Sequence, residues 1–324
     1  MKRFLCALLC VLMVLSIVAC GNAKSEPLKF GLGIYVEQPT ATNAGEKDGQ
    51  GSVSITAAAV TLDADGKIVA CTLDAIDCTA KYNTEGKALA GTFTTKYELG
   101  NNYNMKTYGG AALEWFEQAD ALEAVVAGKT LAEVKALVAD GGKGTTDVIT
   151  AGCTIAITPF INAIEKACAN AADSSATADN ALKLTMHTEQ TCTDATEEKN
   201  GQNKIETTVF AAAVDADGKV VVASSDCVQV AFTFDMAGAS TFDTTKAIVT
   251  KKEAGDNYNM KAYGGAALEW YEQAAAFDTA CVGKTADEIA AMMGEDNYGT
   301  ADLKNAGCTV LVNGFVKAAS KIGK

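Results

Sequence analysis

Apolar positions recur at a helical period in two places. Trp115, Ala119, Leu122 and Val126 fall at i, i+4, i+7 and i+11, one face of a helix. The spacing predicts that this helix starts near Ala111, just after the break at Gly109-Gly110. Trp270, Ala274, Phe277 and Cys281 repeat the face on a second helix, expected to start near Ala266 behind Gly264-Gly265. Glu114 and Gln118 lie one turn apart on another side, as do Glu269 and Gln273, and read as a solvated helix face. Upstream of each helix the period shortens. Ser52 to Leu62 and Ile205 to Val214 are rich in valine, isoleucine, threonine and alanine with partial alternation, which predicts strands. Both run into Asp-Ala-Asp-Gly-Lys, at 63–67 and 215–219, and resume with apolar residues. An EF-hand loop would need further oxygen ligands and a glutamate at its twelfth position, so the pentapeptide predicts a tight antiparallel turn and no calcium site. A third strand is expected over Cys71 to Cys78 and Ser224 to Val230.

These parallels reflect a repeat. Asn102 to Ala119 and Asn257 to Ala274 differ only at Thr107/Ala262 and Phe116/Tyr271 among eighteen positions, so the chain carries two copies of one unit. The first copy spans 29–169 and the second 184–324, with a small, polar and aperiodic linker at 170–183. The register between copies is 152 residues near Gly49 and Gly201 and 155 from the shared stretch onward, so three residues were gained or lost in the middle of a copy. Gly128-Lys129-Thr130 and Gly283-Lys284-Thr285 lack the earlier glycine of a phosphate loop, with Glu123 and Asp278 in its place. Thr130 with Glu133, and Thr285 with Glu288, instead fit the capping box of a further helix. Each copy closes with Ala-Gly-Cys-Thr, at 151–154 and 306–309, and a last helix. Thr158-Pro159 suits its start in the first copy, and Asn313 takes the capping place in the second. The expected fold is α+β: two tandem homologous domains, each a small antiparallel sheet with a helical insert and a closing helix.

The N-terminus changes the picture of where this unit works. Met1-Lys2-Arg3 and the apolar run Phe4 to Ala19 have the layout of a secretory signal, too short for a membrane span. Ile17-Val18-Ala19-Cys20-Gly21 resembles the lipobox of bacterial lipoproteins. That resemblance implies a signal peptide at 1–19, an acylated Cys20, an anchor and linker at 20–28, and a protein held on the extracytoplasmic face of a cell membrane. Two acyl chains hold a protein where one would not. Loss of Lys2 and Arg3 leaves 25 basic against 40 acidic residues, taking the formal charge from -13 to -15. This balance excludes nucleic acid as a partner. Eight cysteines remain after Cys6, Cys10 and Cys20, and only Cys153 and Cys308 are equivalent, so scattered buried thiols are expected in place of a duplicated disulfide framework. The sole histidine, His187, has Tyr35 as its counterpart and reads as an exposed strand residue, which excludes a repeated histidine triad. Nothing identifies a hydrolase.

The order of these parts, a short sheet with an Asp-Gly-Lys turn, a helical insert and a Gly-x-Thr turn before a closing helix, resembles the FMN-binding domain family. The resemblance implies FMN bound through its phosphate at Thr154 and Thr309, in many members covalently, with Gly152 and Gly307 allowing close approach of the backbone. It further implies electron transfer with a redox partner. The family's serine is replaced by Ala151 or Ala306 and its alanine by Cys153 or Cys308. Backbone amides at a helix start would face a phosphate. Tyr103, Tyr108 and Trp115, with Tyr258, Tyr263 and Trp270, are the aromatic residues available to stack on an isoalloxazine ring. The same residues fit an alternative: a non-enzymatic surface lipoprotein that keeps the fold, has lost the flavin site and binds another ligand or partner.

Overall fold

The computed structural model describes residues 26–323. The fold is α+β. The first half runs β1 (Lys29–Val36), β2 (Thr40–Thr42), β3 (Gly49–Leu62), β4 (Ile68–Tyr82), β5 (Ala88–Leu89), then α1 (Lys96–Leu99), α2 (Met105–Gly109), α3 (Trp115–Val126), α4 (Leu131–Lys135), α5 (Thr146–Ala151) and α6 (Thr158–Ala169). The second runs β6 (Ala172–Asp173), β7 (Ala181–Thr193), β8 (Gly201–Val214), β9 (Val220–Phe234), then α7 (Lys251–Ala254), α8 (Met260–Gly264), α9 (Trp270–Cys281), α10 (Ala286–Ala290), α11 (Ala301–Asn305) and α12 (Asn313–Ala319). One antiparallel sheet has the order β5-β4-β3-β1-β6, with β2 also on β3; the other is β7-β8-β9.

Both faces of each sheet are apolar, and they bury against different partners. Along β3, Ala58, Val60 and Leu62 meet Trp115, Leu122 and Ile164 of the helices, whereas Val53, Ile55, Ala57 and Ala59 point the other way. Along β8, Phe210, Ala212 and Val214 meet the helical layer of the second half. Ile205, Val209 and Ala211 join Phe30, Leu32, Ile34, Val53 and Ile55 in a third apolar layer between the sheets. The molecule is therefore layered helix, sheet, sheet, helix, and the two halves share the central layer.

The contacts across that layer are reciprocal. Tyr82 stacks on its own counterpart Phe234, centroids 4.4 Å apart with the rings 9° from parallel. Lys166 of α6 pairs with Glu253 of α7, and the equivalent Lys321 pairs with the equivalent Glu98. Such exchange is the signature of a two-fold interface between like units. Residues 26–180 expressed alone would expose Phe30, Leu32, Ile34, Val53 and Ile55, so the fragment is expected to self-associate or to precipitate. A monomeric fragment with a cooperative melt, seen by sedimentation and calorimetry, would contradict a shared core.

Several local expectations need correction. β1 is not among the expected strands, and of β7 only His187 is expected in a strand. The helices expected near Ala111 and Ala266 begin at Trp115 and Trp270. Glu114 and Glu269 are extended N-caps, and the carboxylates of Glu117 and Glu272 accept their backbone N–H groups at 2.7 Å. Neither Thr158 nor Asn313 caps its helix; each is the first helical residue, and the Asn313 amide instead donates to Glu189. The segment read as a linker is docked, because Ala172–Asp173 pairs with β1 and the Leu28 N–H donates to the Ala176 carbonyl at 2.8 Å. The first strand of the second copy starts at Ala181, ahead of 184. The register change falls between β4 and α1, where 83–94 is twelve residues and 235–249 is fifteen. The Asp-Ala-Asp-Gly-Lys segments do form turns, Asp63 and Asp215 each accepting two backbone N–H groups through Oδ1. The capping boxes of Thr130 and Thr285 are present.

Candidate functional site

The Ala-Gly-Cys-Thr turns are built into the duplicated stretch. Gly152 ends α5 with φ 118°, and Gly307 has φ 107°, conformations that favour glycine. A Cβ at Gly152 would come within 2.8 Å of Leu113 Cδ1, and one at Gly307 within 3.1 Å of Leu268 Cδ1. The close approach these glycines permit is thus made by a leucine of the shared stretch. Cys153 and Cys308 are core residues, and burial pushes each thiol up to about 11.

Thr154 and Thr309 are exposed, yet each is held twice by a buried glutamine. The Thr154 N–H and hydroxyl donate to Gln118 Oε1 at 2.8 and 2.9 Å; Thr309 donates to Gln273 Oε1 at 2.8 and 3.0 Å. Gln118 Nε2 donates to the Leu113 carbonyl at 3.0 Å and to Met105 Sδ at 3.1 Å. Gln273 repeats both contacts, to Leu268 at 3.1 Å and Met260 at 3.3 Å. Glu114 accepts from the N–H groups of Met105 and Lys106 at the start of α2, and Glu269 from those of Met260 and Lys261 at the start of α8. Glu114, Gln118, Glu269 and Gln273 are therefore buried and fully engaged, which corrects their reading as a solvated face. The near-identity of the two stretches has a structural cause. Four elements meet on one glutamine, and every partner of its amide comes from the repeated motif or the turn after it.

The aromatic residues divide. Tyr108 and Tyr263 are 86% and 88% exposed near the ends of α2 and α8, and Tyr108 does not line the cleft beside Thr154. Tyr103 and Trp115 line a cleft of about 230 Å³ with Met105, Lys96 and the two residues after Thr154, Ile155 and Ala156. The structure thus brings Tyr103 beside the turn of Thr154. In the second half, Tyr258 and Trp270 enclose the buried Lys251, whose Nζ lies 5.2 and 5.4 Å from their ring centroids and 2.9 Å from Glu206 Oε1. Burial alone would lower the Lys251 ammonium, but Cys227, Glu206 and Tyr258 more than offset it and hold it high. Lys96 is held up likewise, Asp77 and Tyr103 overcoming burial, with Nζ 2.9 Å from Asp77 Oδ2 and 5.6 Å from the Tyr103 centroid. These lysines escaped the sequence reading, although Thr95-Lys96-x-Glu98 and Thr250-Lys251-x-Glu253 recur at the 155-residue register. His187 sits on β7, its Nε2 3.6 Å from Glu189 Oε1. Together with Lys317 and Asn313 it draws the Glu189 carboxyl down to about 2, against burial.

These residues do not fit FMN as they stand. The cleft is smaller than the roughly 300 Å³ from which pockets for drug-sized ligands begin. The amide and hydroxyl that would meet a phosphate are already donated to glutamine. The eight cysteines stand as free thiols. Among the described residues no cluster of three or more histidine, cysteine, aspartate or glutamate side chains is arranged to hold a metal ion. No helix among them is long and apolar enough to cross a membrane, and Cys20 lies outside the described residues. No known protein family, no curated protein and no solved structure matches the chain.

Two carboxyls of the first half, Glu123 and Asp74, have no lysine ion-pair partner among the described residues. Glu123 accepts the Leu73 N–H at 2.6 Å, and burial, then Asp120 and Asp74, push its carboxyl up to about 8. Burial likewise pushes Asp74 up to about 7. In the second half the counterpart Asp278 pairs with Lys252 Nζ at 3.4 Å. Because the folded state holds these protons longer than the unfolded chain, stability falls as pH rises from about 4 to about 8. Glu123→Gln keeps the acceptor and removes the charge. It should raise the melting temperature at about pH 8.5 and leave it nearly unchanged near pH 5, the direction required of a carboxyl that the folded state keeps protonated up to about 8. A uniform shift at both pH values would show that the carboxyl does not titrate there.

Proposed function

We propose that the protein is an extracytoplasmic lipoprotein, anchored to the cell membrane through Cys20, that acts as a binding protein and not as a flavin carrier. Two tandem copies of one unit form its surface module, and the cleft of the first copy is its ligand site. The observation that carries this reading is the double engagement of Thr154 by Gln118 and of Thr309 by Gln273, which gives each threonine a structural task. Unchanged thermal melting with and without added FMN is the expected result. A ligand that binds the native state raises stability by RT ln(1 + [L]/Kd), so a clear upward shift would count against it. Palmitate labelling of whole cells should be lost in Cys20→Ser.

A second reading, a flavin-binding electron-transfer module with a separate redox partner, draws on one feature. Tyr103 and Trp115 flank a cleft that opens beside the residues following Thr154. It requires the cleft to widen and Gln118 to release the threonine.

A further inference from the structure

We propose that the cleft of the first half binds the ammonium group of a small aliphatic primary amine, in the place that Lys251 fills in the second half. The proposal rests on the reading of this cleft as the ligand site, and the comparison of the two halves carries it.

The equivalent chambers share their aromatic walls, Tyr103 and Trp115 in one and Tyr258 and Trp270 in the other. They differ in where the carboxylate stands. In the second half it is Glu206 of β8, and Gln229 of β9 is neutral and accepts from the Tyr258 hydroxyl at 3.2 Å. Glu206 draws Lys251 inward, so its ammonium lies near both rings. In the first half the arrangement is reversed. Ser54 stands at the place of Glu206, and Asp77 at the place of Gln229. Asp77 accepts from Ser54 Oγ at 2.8 Å and takes Lys96 at 2.9 Å. Lys96 then touches the Tyr103 ring but makes no cation–π contact with Trp115 among the described residues. The space between Trp115 and β3 stays open, and that space is the cleft.

The second copy thus shows what this chamber recognises: an ammonium on a flexible methylene stem, set against an indole and a phenol ring. Tryptophan is the strongest cation–π partner among side chains, most so where water is excluded. The charge balance agrees. Glu37 lines the first cleft and, among the described residues, has no ion-pair partner. Its counterpart Glu189 is taken up by Lys317 at 3.0 Å and by His187. Glu37 and Asp77 against Lys96 leave the first cleft one negative charge in excess, which a monocation neutralises. The small volume suits a few carbons and a nitrogen.

The test is calorimetric titration of the full mature chain with n-butylamine, with n-butanol as the neutral isostere. Nα-acetyl-lysine amide serves as the second source of the same group, a lysine side chain carried on a peptide. One saturable site for n-butylamine and none for n-butanol is expected. Tighter binding of acetyl-lysine amide would assign the natural ligand to a peptide, and tighter binding of n-butylamine to a free amine. The double variant Ser54→Glu/Asp77→Gln copies the second-half arrangement, which the protein already folds with, and should draw Lys96 into the chamber and weaken binding at least tenfold. Glu37→Gln should also weaken it. Absence of saturable n-butylamine binding up to about 10 mM, the weak end of specific affinity, overturns the proposal, as does equal binding by the folded double variant. Flavin in the native protein would instead overturn the binding-protein reading, a separable outcome.

Discussion

Gly33→Ala is expected to unfold the first half of the protein or to lower its stability by more than about 3 kcal/mol, at or beyond the upper range for overpacking. A Cβ at Gly33 would lie 2.2 Å from the Ala163 carbonyl oxygen and 2.2 Å from the Ala167 nitrogen. At Gly31 it would lie 2.1 Å from the Ala167 carbonyl oxygen. All three are backbone atoms of α6, so no rotamer change relieves the clash. Nor can the helix lift away, because Phe160, Ile161 and Ile164 on the same helix are buried in the core. A loss of this size is a large fraction of the roughly 5–15 kcal/mol that holds a typical domain together. The second half supplies the control. Lys183 and Thr185 stand at the equivalent positions, and the Thr185 hydroxyl donates to the Ala318 carbonyl at 2.8 Å. Thr185→Ala should cost only about 1 kcal/mol, the net worth of one hydrogen bond. Urea midpoints of the two variants give the comparison, and equal midpoints would mean that α6 does not rest on β1 as described.

Gln118→Leu should cost about 3 kcal/mol and loosen the cleft. The substitution keeps the bulk of the side chain and removes every hydrogen bond of its amide, leaving the Leu113 carbonyl and the Thr154 N–H without their partner. A buried polar group stripped of its partner costs roughly 1–3 kcal/mol. The sulfur contact to Met105 is lost as well, so α2 is no longer tied to α3 from this side. Proteolysis between 102 and 113 should accelerate. Combined with Thr154→Val, a double-mutant cycle should return a coupling of at least about 1 kcal/mol, as expected of side chains in direct contact. Additive effects would mean that Gln118 and Thr154 act independently, and the structural task assigned to the threonine would fall.

How much of this was legible depends on the range of the interactions involved. The helix faces of Trp115 and Trp270, the Asp-Gly-Lys turns and the capping boxes of Thr130 and Thr285 are set within a few residues, and pattern alone located them. β1 was missed because Gly31 and Gly33 alternate with Phe30, Leu32 and Ile34, and glycine reads as a turn signal when it is in fact clearing space for a helix. The buried layer between the sheets had a trace in the sequence. Ala57 to Val60 and Ala211 to Val214 are unbroken apolar runs, the mark of strands covered on both faces. Glu114 and Gln118 misled for the opposite reason. Periodicity places them off the apolar stripe, but it cannot see that α2 and the turn at Thr154 fold back to cover them. The exchange of Ser54 and Asp77 for Glu206 and Gln229 lies on adjacent strands, and only the strand register makes it one compensated change.

The most direct test of the central claim is an absorbance spectrum of the protein purified from its own host, before and after acid precipitation. With Thr154 and Thr309 committed to Gln118 and Gln273, no flavin bands are expected in the native protein, the pellet or the supernatant. Flavin bands that stay with the pellet and map to peptides containing Thr154 or Thr309 would contradict the account, because each hydroxyl would then carry a phosphoester where the structure places a donor to glutamine.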